Sequence, residues 1–97
     1  MEKEYYPVVV QAVAGPGRTV FAYFSDGKIT QYDMADAIAR GGVFAQLADD
    51  AFFTERLTVM NDTIAWDSSG CFDPRNCIDV DPFEVYAAEA VADPLAS

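Results

Sequence analysis

The sequence predicts an α+β domain: an antiparallel β meander and a second short hairpin, flanked by two or three short helices. Three observations carry that expectation. Phe21-Ala22-Tyr23-Phe24 and Ile29-Thr30-Gln31-Tyr32 are aromatic and β-branched runs on either side of Asp26-Gly27, a pair suited to a turn with positive φ at both central positions. Two further β-rich runs, Leu57-Thr58-Val59-Met60 and Thr63-Ile64-Ala65-Trp66, flank Asn61-Asp62, which suits a tight primed turn. Asp81-Pro82-Phe83-Glu84 is a helix start, with Asp at the N-cap, Pro at the first helical position and Glu at the third, placed to reach back to the N-cap amide.

Taken in order, residues 6–14 read as the first strand, with Val8, Val10 and Ala12 on one face and Val9, Gln11 and Val13 on the other. Gly15-Pro16-Gly17 turns the chain into strands over residues 18–25 and 28–32, whose aromatics are expected on the buried face of the sheet. No Gly-Lys-Ser/Thr follows those glycines, and no helix does, so they do not read as a phosphate cradle. Asp33 is placed to cap a short helix over residues 34–40, with Asp36 in its first turn and Gly41-Gly42 at its end. Met34, Ala37 and Ile38 form its apolar stripe, and Val43, Phe44 and Leu47 extend the apolar supply. Asp49 or Asp50 caps a second helical turn over residues 51–55. After the hairpin, residues 67–76 are loop by composition, and residues 77–80 return briefly as strand. The final helix is expected to run to about Ala92, laying Phe83, Tyr86, Ala87, Ala90 and Val91 on the sheet before Asp93-Pro94 stops it.

Ninety-seven residues read as one domain, with the core over about residues 6–92. Hydrophobic content of 52% is too high for a chain that cannot offset its ordering entropy. Acids outnumber bases 16 to 6, for a formal charge of −10. The excess is concentrated late: from Leu57 onward Asp62, Asp67, Asp73, Asp79, Asp81, Glu84, Glu89 and Asp93 stand against Arg75 alone. Such a surface repels phosphate backbones and anionic lipid, which argues against direct nucleic-acid or membrane binding, and it attracts a basic protein. The opening Met-Glu-Lys-Glu-Tyr-Tyr-Pro does not read as a secretion leader, and the apolar run over residues 7–14 is too short to span a bilayer, so a cytoplasmic location is expected. In that compartment Cys71 and Cys77 read as free thiols, with a disulfide between them as the alternative.

There is no histidine, so acid–base work near neutral pH would fall to carboxylates. The dense set is Asp67, Asp73, Asp79 and Asp81. Its spacing matches no EF-hand loop, and Asp81 is already engaged as a cap, so solvation and capping explain it better than a metal does. Ser68, Ser69, Cys71 and Cys77 lack a neighbouring base, which leaves no nucleophile pair and no catalytic residue. No cofactor is implied. Trp66 can line a cleft with Tyr23 and Tyr86, and the candidate ligand or partner surface is therefore Trp66, Asp67, Asp73, Asp79 and Tyr86.

The order Phe24-Ser25-Asp26-Gly27, Tyr32-Asp33, Gly42-Val43-Phe44-Ala45-Gln46-Leu47, Phe52-Phe53, Thr63-Ile64-Ala65-Trp66 and Cys77-Ile78-Asp79-Val80-Asp81-Pro82, with Tyr86 after it, resembles the bacterial domain of unknown function 2442 family over about residues 6–86. The resemblance implies a small α+β fold and no established catalytic residues. It also implies an antitoxin-like role beside a small partner encoded nearby. Some members carry a C-terminal helix-turn-helix, for which a sequence ending at Ser97 is expected to have no room, so DNA binding is not carried over. The expected function is thus a non-enzymatic interaction module, the acidic partner of a small basic protein. The alternative is small-molecule or cation binding in a cleft near Trp66 and Asp79. A homodimer is a separate expectation, because a meander can hide an open edge against its own copy.

Overall fold

The computed structural model describes residues 7–67 and 77–94. Strands β1 (Val9–Ala14), β2 (Thr19–Phe24) and β3 (Ile29–Asp33) form the meander. Helix α1 (Ala35–Arg40), a 3-10 segment (Gly42–Ala48) and helix α2 (Asp50–Glu55) follow. Strands β4 (Leu57–Met60), β5 (Thr63–Asp67) and β6 (Cys77–Asp79) make a second antiparallel sheet in that order. Helix α3 (Pro82–Tyr86) then leads to β7 (Glu89–Ala90), which returns to the first sheet and gives it the order β1-β2-β3-β7. The α+β expectation holds: two antiparallel sheets and short helices.

Of the two hairpin turns, Asn61-Asp62 is as expected and Asp26-Gly27 is not. Asn61 and Asp62 have φ of 57° and 63°, the primed turn their sequence suggested, and they are the only non-glycine residues with positive φ among those described. Asp26 is not in that region. Gly27 donates its N–H to Phe24 O and Phe24 donates to Lys28 O, both at 2.9 Å, so Ser25 and Asp26 are the centre of a turn and Gly27, at φ 96°, takes the left-handed position after it. Asp26 contributes through its side chain, which accepts from the Lys28 amide at 2.9 Å.

Strict alternation in β1 fails at one residue. Val9 pairs with Phe24 but Gln11 pairs with Tyr23, so Val10 is an extra residue in the ladder and points out, 60% exposed. Beyond this bulge, Val9, Ala12 and Ala14 share the core face with Val20, Ala22 and Phe24. Phe21 and Tyr23 therefore sit on the opposite face and are half-buried, a correction to the expectation that all the meander's aromatics would be buried.

Caps behave as their residue types dictate. Asp33 accepts from the Ala35 amide at 2.9 Å even though Met34, one residue later, is the formal N-cap of α1. Asp49 accepts from Ala51 and Phe52 ahead of α2, and Asp81 from Phe83 ahead of α3. Each such cap is worth about 1 kcal/mol.

The last helix departs most from expectation. It ends at Tyr86, Phe83 is 51% exposed, and the residue it buries is Val85. Two contacts stop it. The Ala88 amide bonds to Val85 O three residues back, tightening the turn, and the buried Thr30 hydroxyl also donates to Val85 O at 2.8 Å. Ala90 and Glu89 then pair with Thr30 and Gln31, and the Val91 amide bonds to Ile29 O, so the β3 edge takes backbone that a longer helix would have kept to itself.

The core lies between and beneath these layers: Val9, Val20, Ala22 and Phe24 from the meander, Met34 and Leu47 from the following segment, Phe53, and Ile64, Trp66, Ile78, Val80 and Val85. All five residues of β5 are buried, as befits the central strand of the second sheet. The Val9 amide bonds to Asp62 O at 2.9 Å and ties the first sheet to the second at the β4–β5 turn.

Candidate functional site

Tyr32 ends the core face of β3, and Asp33 starts the chain into α1, which lays Met34 and Ala37 beside it. The 3-10 segment adds Phe44, and β6 with the capped start of α3 adds Val80. Together Met34, Ala37, Phe44 and Val80 form the apolar floor of a groove of about 170 Å³. Its polar rim is made of Asp79, Asp81, Glu84, Arg40 and Tyr32. Cavities of that order accept a benzene-sized guest.

The rim carboxylates are held in place. Glu84 accepts from the Tyr32 hydroxyl at 2.9 Å, Asp79 from Asn61 Nδ2 at 3.2 Å, and Asp81 from the Phe83 amide at 2.9 Å. Each of these bonds uses one acceptor site of a group that has about four, so capacity for a further donor remains. Tyr32 feels the same surroundings. Burial first, then the bond to Glu84 and the charges of Glu84 and Asp81, with Arg40 opposing, push its hydroxyl up from 10.0 to about 12.

This shift has a measurable result. The unfolded chain releases the Tyr32 proton near 10, whereas the folded chain keeps it to about 12, so the folded state holds more protons across that interval. The contribution is fully present below pH 10 and is lost as pH rises through about 12. Urea stability of Tyr32→Phe is expected to fall less steeply across this interval than that of the parent, and a tyrosinate absorbance titrating near 12 should disappear. Identical pH slopes for the two proteins would show that the hydroxyl is not so perturbed.

Of the five residues expected at a ligand or partner surface four are described, and among these Asp79 alone is on this groove. Trp66 is 0% exposed, its ring 5.4 Å from that of Phe53 and its indole N–H donating to Phe53 O at 2.9 Å. Register explains the separation: Trp66 faces Ile78 across the β5–β6 pair, whereas Asp79 faces Ala65. Neighbouring residues on a strand point to opposite faces, so Trp66 and Asp79 do not enclose a common cleft. Asp67 is 3% exposed, with Arg56 bonding its backbone on both sides. Tyr86 packs elsewhere: its hydroxyl donates to Asp26 at 2.8 Å, its ring meets Phe24 edge-on at 4.9 Å, and Lys28 Nζ lies 3.9 Å from the ring centre. Asp73, Cys71, Ser68, Ser69 and the rest of the loop over residues 68–76 lie outside the described residues, as does the Cys77 side chain.

Tyr32, Arg40, Phe44 and Glu84 were not singled out as site residues from the sequence. The available signal was weak: Phe44 lies in an apolar run, and Glu84 already had a role at the helix start. Among the described residues no three carboxylate or thiol side chains converge as metal ligands, and no helix is long and apolar enough to cross a membrane.

Residues 9–90 match the sequence model of a family described as "Protein of unknown function (DUF2442)". No curated protein and no solved structure matches the chain.

Proposed function

We propose, from the premise that this chain belongs to the DUF2442 family of proteins of unknown function, that it is a non-enzymatic interaction module: the acidic, antitoxin-like partner of a small basic protein encoded nearby in a bacterial genome and met in the cytoplasm. The observation that carries the reading is the groove. It sets an apolar floor inside a rim with three carboxylates against one guanidinium, on a chain whose net charge is −10. An apolar floor supplies the area that stabilises a complex, and the charge around it steers a basic partner in and rejects anionic ones.

Co-expression with the product of the adjacent gene tests this. The two proteins are expected to co-purify at low salt, to separate as salt rises, and the acidic chain should restore growth that its partner suppresses. Absence of a complex at low salt together with absence of growth rescue would overturn the reading. The groove also favours a second reading, in which a small organic cation rather than a protein occupies it. Thermal melting against a panel of amines and guanidines separates the two, because a ligand at one hundred times its dissociation constant adds roughly 2.7 kcal/mol. Self-association is a third proposal, tested by sedimentation.

A further inference from the structure

We infer that the groove between α1, the 3-10 segment and the start of α3 is the seat of one arginine side chain projecting from the basic partner. This rests on the partner reading above and gives it a specific contact.

The shape of the groove calls for an occupant with two parts. Met34, Ala37, Phe44 and Val80 offer nothing to a hydrated ion, but they suit the aliphatic stem of a long basic side chain, which packs along apolar surface while its head stays polar. The head then meets Asp79, Asp81 and Glu84, three carboxylates presented from β6, from the residue that caps α3 and from its first turn. More than one carboxylate on a single lining favours a planar guanidinium with five donors over a compact ammonium. Phe44 also brings an aromatic ring to this lining, a group that attracts a cation. Each rim carboxylate is already oriented by a bond from the protein, to Tyr32, Asn61 or the Phe83 amide, so the partner need not order them.

Arg40 lies on the same groove and opposes an incoming cation. Its place predicts a variant that improves binding. Arg40→Gln removes the repulsion while keeping a long polar side chain, whereas Glu84→Gln removes an attracting charge and keeps an acceptor for Tyr32.

The test is an amide-resolved NMR titration with N-acetyl-arginine methylamide, alongside the lysine and norleucine analogues. The arginine compound is expected to give saturable shifts focused on Ala37, Arg40, Phe44, Val80 and Glu84, at about millimolar affinity for so small a probe. The lysine analogue should bind less tightly, and the norleucine analogue should not saturate. Glu84→Gln should weaken the arginine compound by about 3- to 10-fold, and Arg40→Gln should tighten it by about 2- to 5-fold. Diffuse, unsaturated shifts over the acidic surface, an equal response to all three compounds, or indifference to both substitutions would overturn the assignment. A neighbour-encoded protein that binds the parent and Glu84→Gln equally well would overturn the groove contact while leaving the interaction module standing.

Discussion

Replacing Trp66 with alanine is expected to cost about 3–5 kcal/mol, the range for deleting a large aromatic from a packed core. That is a large part of the roughly 5–15 kcal/mol by which a domain is usually stable, so Trp66→Ala should be unfolded or close to it at physiological temperature. The indole is 0% exposed, in ring contact with Phe53 and bonded to its carbonyl. Trp66→Phe is expected to retain most of the packing but to leave the Phe53 carbonyl without its donor, which adds about 1–3 kcal/mol. Urea unfolding followed by far-UV circular dichroism measures both, since the fluorescent reporter is the residue removed. A loss below about 1 kcal/mol for Trp66→Ala would contradict the core position and restore the residue to consideration as a surface group.

The second large effect is expected at Arg18, which precedes β2. Its Nε donates to Leu47 O at 2.9 Å and its Nη2 to Ala48 O at 2.7 Å, the final carbonyls of the 3-10 segment. Nη1 reaches Asp50 at 3.0 Å, and the guanidinium carbon lies 5.3 Å from the centre of the Phe53 ring. Hydrogen bonds from a charged donor contribute about 1.5–3 kcal/mol each when shielded, and less at a partly exposed site, so Arg18→Ala should cost about 2–3 kcal/mol. Arg18→Lys should recover less than half of this, because one ammonium cannot bond two carbonyls and lie flat on a ring together. Asp50→Asn is the informative comparison. The Asp50 side chain is 81% exposed, and a pair of that kind is worth about 0–1 kcal/mol. Equal losses for Arg18→Ala and Asp50→Asn would mean that the ion pair, not the carbonyl bonds, is what Arg18 contributes.

Much of the fold was legible because its signals are local. Asp33, Asp49 and Asp81 each accept a hydrogen bond from a backbone amide at the start of a helix, and Asn61-Asp62 takes positive φ, all within three residues of the amino acid responsible. The failures are non-local. Residues 83–91 keep a helical spacing of apolar groups, yet Glu89 and Ala90 join a sheet because β3 offered them an unpaired edge, a fact about residues far earlier in the chain. Val10 was expected to share a strand face with Val8 and Ala12, but the pairing of β1 with β2 left it as the surplus position. Arg18 gave no local sign that Leu47 and Ala48 would come to it.

The site followed the same pattern. Asp79 was legible as part of an acidic set, but its separation from Trp66 depends on how β6 registers on β5, which neither strand announces alone. Tyr32, Arg40, Phe44 and Glu84 come from four separate elements, β3, α1, the 3-10 segment and α3, and share one lining only in the folded chain.

The closing of the first sheet by β7 also sets a schedule for biosynthesis. As the chain leaves the ribosome, β1, β2 and β3 emerge together and can pair at once, but the outer edge of β3 has no partner until Glu89 and Ala90 follow. Throughout that interval the nascent protein presents an unpaired strand, the template on which chains add to one another. Emergence of residues 89–90, rather than completion of the meander, is then the step that closes this edge, and stalled or truncated products lacking residues 89–90 should be the ones that aggregate or call on chaperones.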